Sequence, residues 1–408
     1  MKIKADKAIR ATLLVSLMLS VSLLSTRLQA DTGTCGGASI TLPFTDVSAG
    51  NIFFCSIGEA FFSGLSNGID ATHYSPAANV PREQMAAFVT RTMDQSLKRG
   101  SRRAAQDQYW TPTILPDSLG LTTVGSVPEL VESDGADLWV ANYSSNTVSR
   151  VRASDGKLLE TWTGAISAAG VLSAKGLIFV NGFLDPGKLY QIDPTQPVSA
   201  VTTLAISLGN SPAGIAFDGA RVWTANGGVS VSHAGASVSI VTLNPLGVSN
   251  ITAGFTSPVG ILYDGTNICV TDRGDGMSAG SLFKLDSTGV IIQTVTVGTS
   301  PDFPGFDGTN IWVPNTFSDT VTVIRALTGT VLTTLTGNGL NGPIAAAFDG
   351  ERVLVTNFGG SSVSLWKASD LSPLGSVSTG SATGPRGACS DGLNFWITLA
   401  TTGKLARF

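Results

Sequence analysis

The chain has 408 residues, which leaves room, after an export signal, for one small and one large domain. Charged residues make up only 13%, against ~25% in ordinary soluble domains, while Gly reaches 47 and aromatics stay at 7%. This composition suits a β-rich chain with many tight turns, and the net charge of −4 excludes a general nucleic-acid binder.

The N-terminus reads as a targeting segment. Lys2, Lys4, Lys7 and Arg10 precede an apolar run from Ala11 to Ser25, and Leu28-Gln29-Ala30 offers small-residue cleavage chemistry before Asp31. The expectation is a signal peptide over residues 1–30, removed to give a secreted protein of the extracellular space or cell envelope. The rival, an uncleaved anchor, needs ~20 apolar residues, and the run is shorter. No later segment has the composition to cross a bilayer.

Residues 31–95 form a small module. Ile57, Ala60, Phe61 and Leu65 recur at helical spacing, as do Met85, Phe88 and Val89, and Gly68 stops the first helix, so a helix-loop-helix unit is expected. Cys35 and Cys55 lie close in sequence, and an oxidising compartment would let them pair; a loop of that length stabilises a domain by about 3 kcal/mol. Cys269 and Cys389 lie far apart in strand-like runs and read as buried free thiols.

Phe44-Thr-Asp-Val47, Asn67-Gly-Ile69, Tyr74-Ser-Pro76 and Val80-Pro-Arg-Glu-Gln-Met85 occur in order, and over about 50 residues the stretch resembles an S-layer homology module. That family binds cell-wall polymers, often through three copies; here there is one. The resemblance implies a cell-wall polymer or peptidoglycan as partner and Asp46, Gly68 and Arg82 as the residues that meet it. The Thr that usually precedes the Arg is Pro81 here, a residue suited to a first helical turn but without the hydroxyl. Two readings stand: Asp46 and Arg82 face the polymer, or Asp46 caps a loop with Arg82 as its internal partner. Residues 96–117 read as a linker, with Lys98, Arg99, Arg102 and Arg103 either solvated or touching an anionic surface.

Residues 118–408 are repetitive. One column holds Trp139, Phe179, Trp223, Cys269, Trp312, Leu354 and Trp396. Five positions earlier stand Asp134, Ala174, Asp218, Asp264, Asp307, Asp349 and Asp391; eleven positions earlier stand Pro128, Ala168, Pro212, Pro258, Pro301, Pro343 and Pro385. The copies hold four strand-like runs, the first two joined by an Asp-Gly turn except in the second copy, where Ala174-Lys175 stands, which predicts antiparallel propeller blades of ~40–45 residues. The seventh copy ends at Phe408 after three strands, and Leu119-Gly-Leu-Thr-Thr-Val124 resembles the missing fourth. The expected fold is therefore mainly β: a seven-bladed β-propeller whose N-terminal strand closes the last blade, preceded by the small α-helical module. Leu138-Trp-Val-Ala-Asn142, Thr147-Val-Ser-Arg-Val151, Ile311-Trp-Val-Pro-Asn315 and Thr320-Val-Thr-Val-Ile324 look like YVTN and NHL-type propeller repeats. That resemblance implies surface proteins, binding scaffolds and some enzymes, among them lactonases and streptogramin-lyase-like proteins.

The loops between strands two and three and between blades share one face. Strand two ends on Asn142, Gly182, Asn226, Asp272, Asn315, Asn357 and Leu399, a column that reads as turn chemistry or as ligand contacts. The residue after each Pro gives Glu129, Ala169, Ala213, Val259, Asp302, Ile344 and Arg386; its charges break the repeat and mark a site at the mouth, or else Glu129 and Arg386 bridge neighbouring blades. Glu129, Asp302, Arg386, Asn226 and Asp272 are the candidate binding residues. Asp272, Asp275 and His233 fall short of a cation's three or four converging ligands, so neither metal nor cofactor is expected, and no catalytic group is assigned. The leading expectation is a monomeric binding or scaffold protein for an unknown protein, glycan or small molecule. The alternative is a propeller hydrolase or lyase using carboxylates and a divalent cation, which needs Glu129, Asp302 and Asp272 to converge on the channel.

Overall fold

The computed structural model describes residues 31–35, 38–62, 66, 68–82, 85, 120–228 and 233–408. The expected signal peptide over residues 1–30, the expected linker over residues 96–117 and the positions Leu65, Phe88 and Val89 lie outside them. The chain divides into two units, Met1–Tyr109 and Trp110–Phe408.

In the first unit the strands Thr32–Cys35 and Ala38–Thr41 form an antiparallel hairpin, and the helix Phe54–Phe62 follows. The hairpin departs from the expected helix-loop-helix unit. Only the opening of a second helix is described, with the Met85 N–H donating to the Pro81 carbonyl at 3.0 Å. A disulfide joins Cys35 to Cys55, with α-carbons 5.5 Å apart, and ties the end of the hairpin strand to the first turn of the helix. Ile40, Leu42, Phe44, Val47, Phe54 and Ile57 are buried between them, and Phe44 meets Phe61 edge-on at 4.9 Å.

The second unit is a propeller of seven four-stranded antiparallel sheets. Blade one comprises Pro128–Ser133, Asp137–Asn142, Thr147–Arg152 and Leu158–Thr163, and each later blade opens near its column Pro. In blade seven the fourth strand is Gly120–Thr123, which pairs antiparallel with Lys404–Arg407 in the register Leu121↔Ala406 and Thr122↔Leu405. The ring thus closes through strands nearly 300 positions apart in sequence, and no blade is left with an incomplete sheet.

The Asp and Trp columns form one device. Asp134 accepts the Ala136 and Asp137 N–H groups at 2.9 and 2.7 Å, closing the hairpin, and its other oxygen takes the Trp139 indole N–H at 2.8 Å. Asp218, Asp307 and Asp391 hold Trp223, Trp312 and Trp396 in the same way. All four indoles are buried, and their one polar atom has a partner. Where the Trp is missing a cation replaces it: Lys284 lies 2.9 Å from Asp264, and Arg352 donates to Asp349 at 2.8 Å. Blade two has neither; its turn is made by Lys175 and Gly176, both at positive φ. Cys269 and Cys389 are buried free thiols, both pushed up in pKa chiefly by burial.

A second device joins blade to blade. Thr271 Oγ1 accepts the Gly260 N–H of its own blade at 2.9 Å and donates to the Asp302 carbonyl of the next at 2.7 Å. Thr356 does the same between Ala345 and the Arg386 carbonyl, and Thr398 between Gly387 and the Glu129 carbonyl. Asn181 links Gly170 to the Ala213 carbonyl. In blade five Pro304 lacks an N–H and shortens the first strand to Gly305–Phe306, and Phe303 bonds instead to Ile344 of blade six at 3.0 Å.

One carboxyl lies near the closing seam without such support. Glu132, half-buried on the first strand of blade one, has no side-chain hydrogen bond, and burial raises its pKa from 4.5 to about 7. An acid whose folded pKa exceeds its unfolded value holds its proton more tightly when folded, so its ionisation costs stability as pH rises from about 4.5 through about 7. Glu132→Gln should therefore raise the urea midpoint at pH 8 and leave it unchanged at pH 4, with the difference growing between those values. Urea titrations of both proteins across that range measure it.

Candidate functional site

In the small unit Asp46 caps a loop. Its two oxygens accept the Tyr74 and Ser75 N–H groups at 2.9 and 2.7 Å. Burial pushes its carboxyl up, but these donors outweigh it and hold the pKa below the ordinary carboxylate value. Gly68 is demanded by packing, since a side chain there would run into the His73 carbonyl and the Phe44 ring. Arg82 is exposed at the first turn of its helix and forms no ion pair with Asp46. Of the three residues singled out for polymer contact, two are occupied within the fold and one is free to meet a partner.

In the propeller a cavity of about 530 Å³ opens at the mouth, within the range of sites for drug-sized ligands. Its wall alternates around the ring. Ala169, Ala213 and Val259 from blades two to four make an apolar arc, and Glu129 and Arg386 line the opposite side. Glu129 and Arg386 reach this position because the clasps of Thr398 and Thr356 fix their main chain, while Asp302, clasped by Thr271, and Ile344 lie off the cavity.

A second column forms the rim. In every blade the residue after the strand-two column donates its N–H to the carbonyl of the residue before the column Pro, as Tyr143 does to Val127 at 2.9 Å and Arg273 to Ser257 at 2.9 Å. This tether presents Tyr143, Phe183, Gly227, Arg273, Thr316, Phe358 and Ala400 around the mouth. The sequence reading passed over this column, though it lies one place beyond a column already aligned, and its mix of aromatic, small and cationic residues was the available signal.

The charges are paired. Arg386 binds Glu129 across the junction of blades seven and one, and Arg273 reaches Asp302 at 2.6 Å, with Thr316 Oγ1 donating to the same carboxyl at 3.0 Å. Burial raises the Glu129 pKa; Arg386 opposes this, and the charge of Asp302 adds to it. The two carboxylates are therefore near enough to repel, though each is held by its own arginine. Asp272 is buried and committed to the Thr256, Ser257 and Gly274 N–H groups. Asn226 is buried against Ser237 and Ser239 at 3.1 and 2.8 Å. Neither of these two lines the cavity, nor does the expected Asp302, which is fully buried behind Arg273, whereas His233 does. Arg273 Nε, Arg386 Nε, Asp302 Oδ1 and His233 Nδ1 are buried without a hydrogen-bond partner. Among the described residues no three His, Cys, Asp or Glu side chains come together as metal ligands.

No protein-family model matches the chain, and no curated protein matches it in sequence. Solved structures do match. A streptogramin B lyase shares 16% identity at a TM-score of 0.57, over 71% of this chain and 97% of its own. The virginiamycin B lyase of Staphylococcus aureus shares 16% at 0.58, over 71% and 98%. The Kuenenia stuttgartiensis hydrazine synthase shares 17% at 0.59, over 70% and 97%. At these identities the likeness defines the class of fold, the seven-bladed propeller, shared by proteins with different names and chemistries.

The Glu129–Arg386 pair yields a stability prediction. Arg386→Ala leaves a buried carboxylate without its cation and should cost about 2 kcal/mol. Adding Glu129→Gln should restore part of that loss, which a double-mutant cycle of urea unfolding at pH 8 measures.

Proposed function

We propose that this chain is an exported binding protein whose propeller takes a small organic ligand in the mouth cavity. The observation that carries the reading is the cavity itself: an apolar arc faces the Glu129–Arg386 pair over about 530 Å³, with Arg273 beside the arc and polar atoms of the lining residues still lacking partners. The Cys35–Cys55 disulfide supports an oxidising destination, and among the described residues no helix is long and apolar enough to cross a membrane. The carboxylate and divalent-cation alternative loses support, because Glu129 and Asp302 are each bound to an arginine and Asp272 is turned into its own loop. What favours chemistry on the ligand is His233, whose imidazole lines the cavity with Nδ1 unpartnered.

A ligand-observed NMR screen of small organic molecules against the full chain tests the reading. Ala213→Trp fills the apolar arc and should abolish the signals of specific binders while leaving the melting temperature within ~2 °C. Binders indifferent to that substitution would place the site elsewhere. Following the bound molecules for product formation reads the enzyme alternative in the same samples.

We assign wall association to the small unit on the strength of Arg82, exposed and without a partner in Asp46. Arg82→Ala should reduce co-sedimentation with purified cell wall about fivefold, as expected for a lost charged contact. Equal sedimentation of both proteins removes the assignment.

A further inference from the structure

We infer that the mouth cavity takes a neutral saccharide, with a sugar face against the aromatic rings and hydroxyls among the arginine–carboxylate pairs. This deepens the ligand-binding reading and rests on it. Three observations converge.

The first is charge. Each arginine at the mouth already has a counter-ion, Arg386 in Glu129 and Arg273 in Asp302. The remaining lining carboxylate, Asp275, accepts the N–H groups of Met277 and Ser278 at 2.9 and 2.8 Å. An anionic ligand would have to displace a buried carboxylate from its cation, which leaves that carboxylate unpaired at a cost of several kcal/mol. A cationic ligand would have to displace an arginine. The arrangement favours a ligand without net charge.

The second is hydrogen-bonding polarity. On the residues that line the cavity the partnerless buried atoms are the donors Arg273 Nε and Arg386 Nε and the imidazole nitrogen His233 Nδ1, which accepts when the other ring nitrogen carries the proton. Buried polar atoms ordinarily have partners, so these mark where a ligand's groups are due. A carboxylate only accepts and an ammonium only donates, whereas a hydroxyl does both and meets the two kinds of atom together.

The third is the placement of aromatic rings. Among the described propeller residues the exposed aromatic side chains are Phe183, Phe317 and Phe358. Phe183 and Phe317 line the cavity with Tyr143 and Phe303, and Phe358 lies under the Arg386 guanidinium at 5.8 Å. The exposed apolar residues of the fourth strands are aliphatic instead, including Leu158, Ile206, Leu246, Ile292, Leu332 and Leu374. A ring face carries negative electrostatic potential and suits the slightly positive C–H face of a pyranose. An aliphatic ligand would need no such segregation.

The test is calorimetric titration of the full chain with cellobiose, maltose and N,N′-diacetylchitobiose, and with digalacturonate as an anionic counterpart. At least one neutral disaccharide should bind, and digalacturonate should bind about tenfold more weakly or not at all. Phe317→Ala and Phe183→Ala should each weaken the neutral sugar about fivefold without lowering the melting temperature. Arg273→Lys, which keeps the charge and removes Nε, should weaken it as well. No binding by any neutral disaccharide, preference for digalacturonate, or full binding by both phenylalanine variants would overturn the inference. Hydroxyl-free molecules displaced by Ala213→Trp, with all three sugars silent, would refute the saccharide and leave the cavity as a ligand site. Silence of both would remove both readings.

Discussion

The hydroxyl clasp between blades is the interaction on which the mouth depends. Thr271, Thr356 and Thr398 each take an N–H from their own first strand and give their proton to the carbonyl of Asp302, Arg386 or Glu129 in the next blade. Each satisfies two main-chain groups with one buried atom, and a buried main-chain group left unmade costs ~1–3 kcal/mol. The clasp also fixes the residues whose side chains make the site charged. Three of the four clasped residues carry the only charges in their column, and the fourth, Ala213, belongs to the apolar arc. The blade junctions and the mouth are therefore positioned by the same hydrogen bonds.

Outward from the mouth, control passes to a different device. The Asp–Trp bond closes the first hairpin of four blades and anchors an indole between neighbouring sheets. The inner end of each blade is thus variable, and its body is apolar and repetitive. Such a division lets a propeller alter its ligand without repacking its core, because the two sets of residues share no side chain. The rim tether works in the same sense: it uses only main-chain atoms, so the residue it presents can be Tyr, Phe, Gly, Arg, Thr or Ala.

How much was legible in the sequence follows from what repeats. Asp, Pro and Trp recur because turn geometry and packing demand the same side chain in every blade, and seven copies make three columns visible. The ring closure followed from them, since blade seven was one strand short and Leu121-Thr-Thr matched it. The site was less legible for the converse reason: function is carried where the repeat breaks, and one sequence does not separate a functional break from a neutral one. Glu129 and Arg386, which line the cavity, could be named from charge alone. Arg273 and Phe317 could not, because a lone Arg or Phe beside a turn is unremarkable until the tether places Arg273 at the mouth and the Phe317 N–H binds the Thr299 carbonyl next to the tethered Thr316. Asn226 and Asp272 misled for a physical reason, as a polar side chain ending a strand serves its own loop first. The hairpin of the small unit escaped because Thr-Gly-Thr-Cys and Ala-Ser-Ile-Thr are too short for alternation to register.

Closure by the strand Gly120–Thr123 also sets an order of events during synthesis. The partner strand Lys404–Arg407 leaves the ribosome only after the other six blades have emerged. Until it arrives, blade seven cannot be completed, and the early strand must wait unpaired while six blades accumulate beside it. Long-range pairing of this kind is slow and leaves sheet edges open in the interval. A propeller halted before that strand would carry six complete blades and no closed ring. Quality control thus has one structural checkpoint to read, the pairing of the strand that closes it.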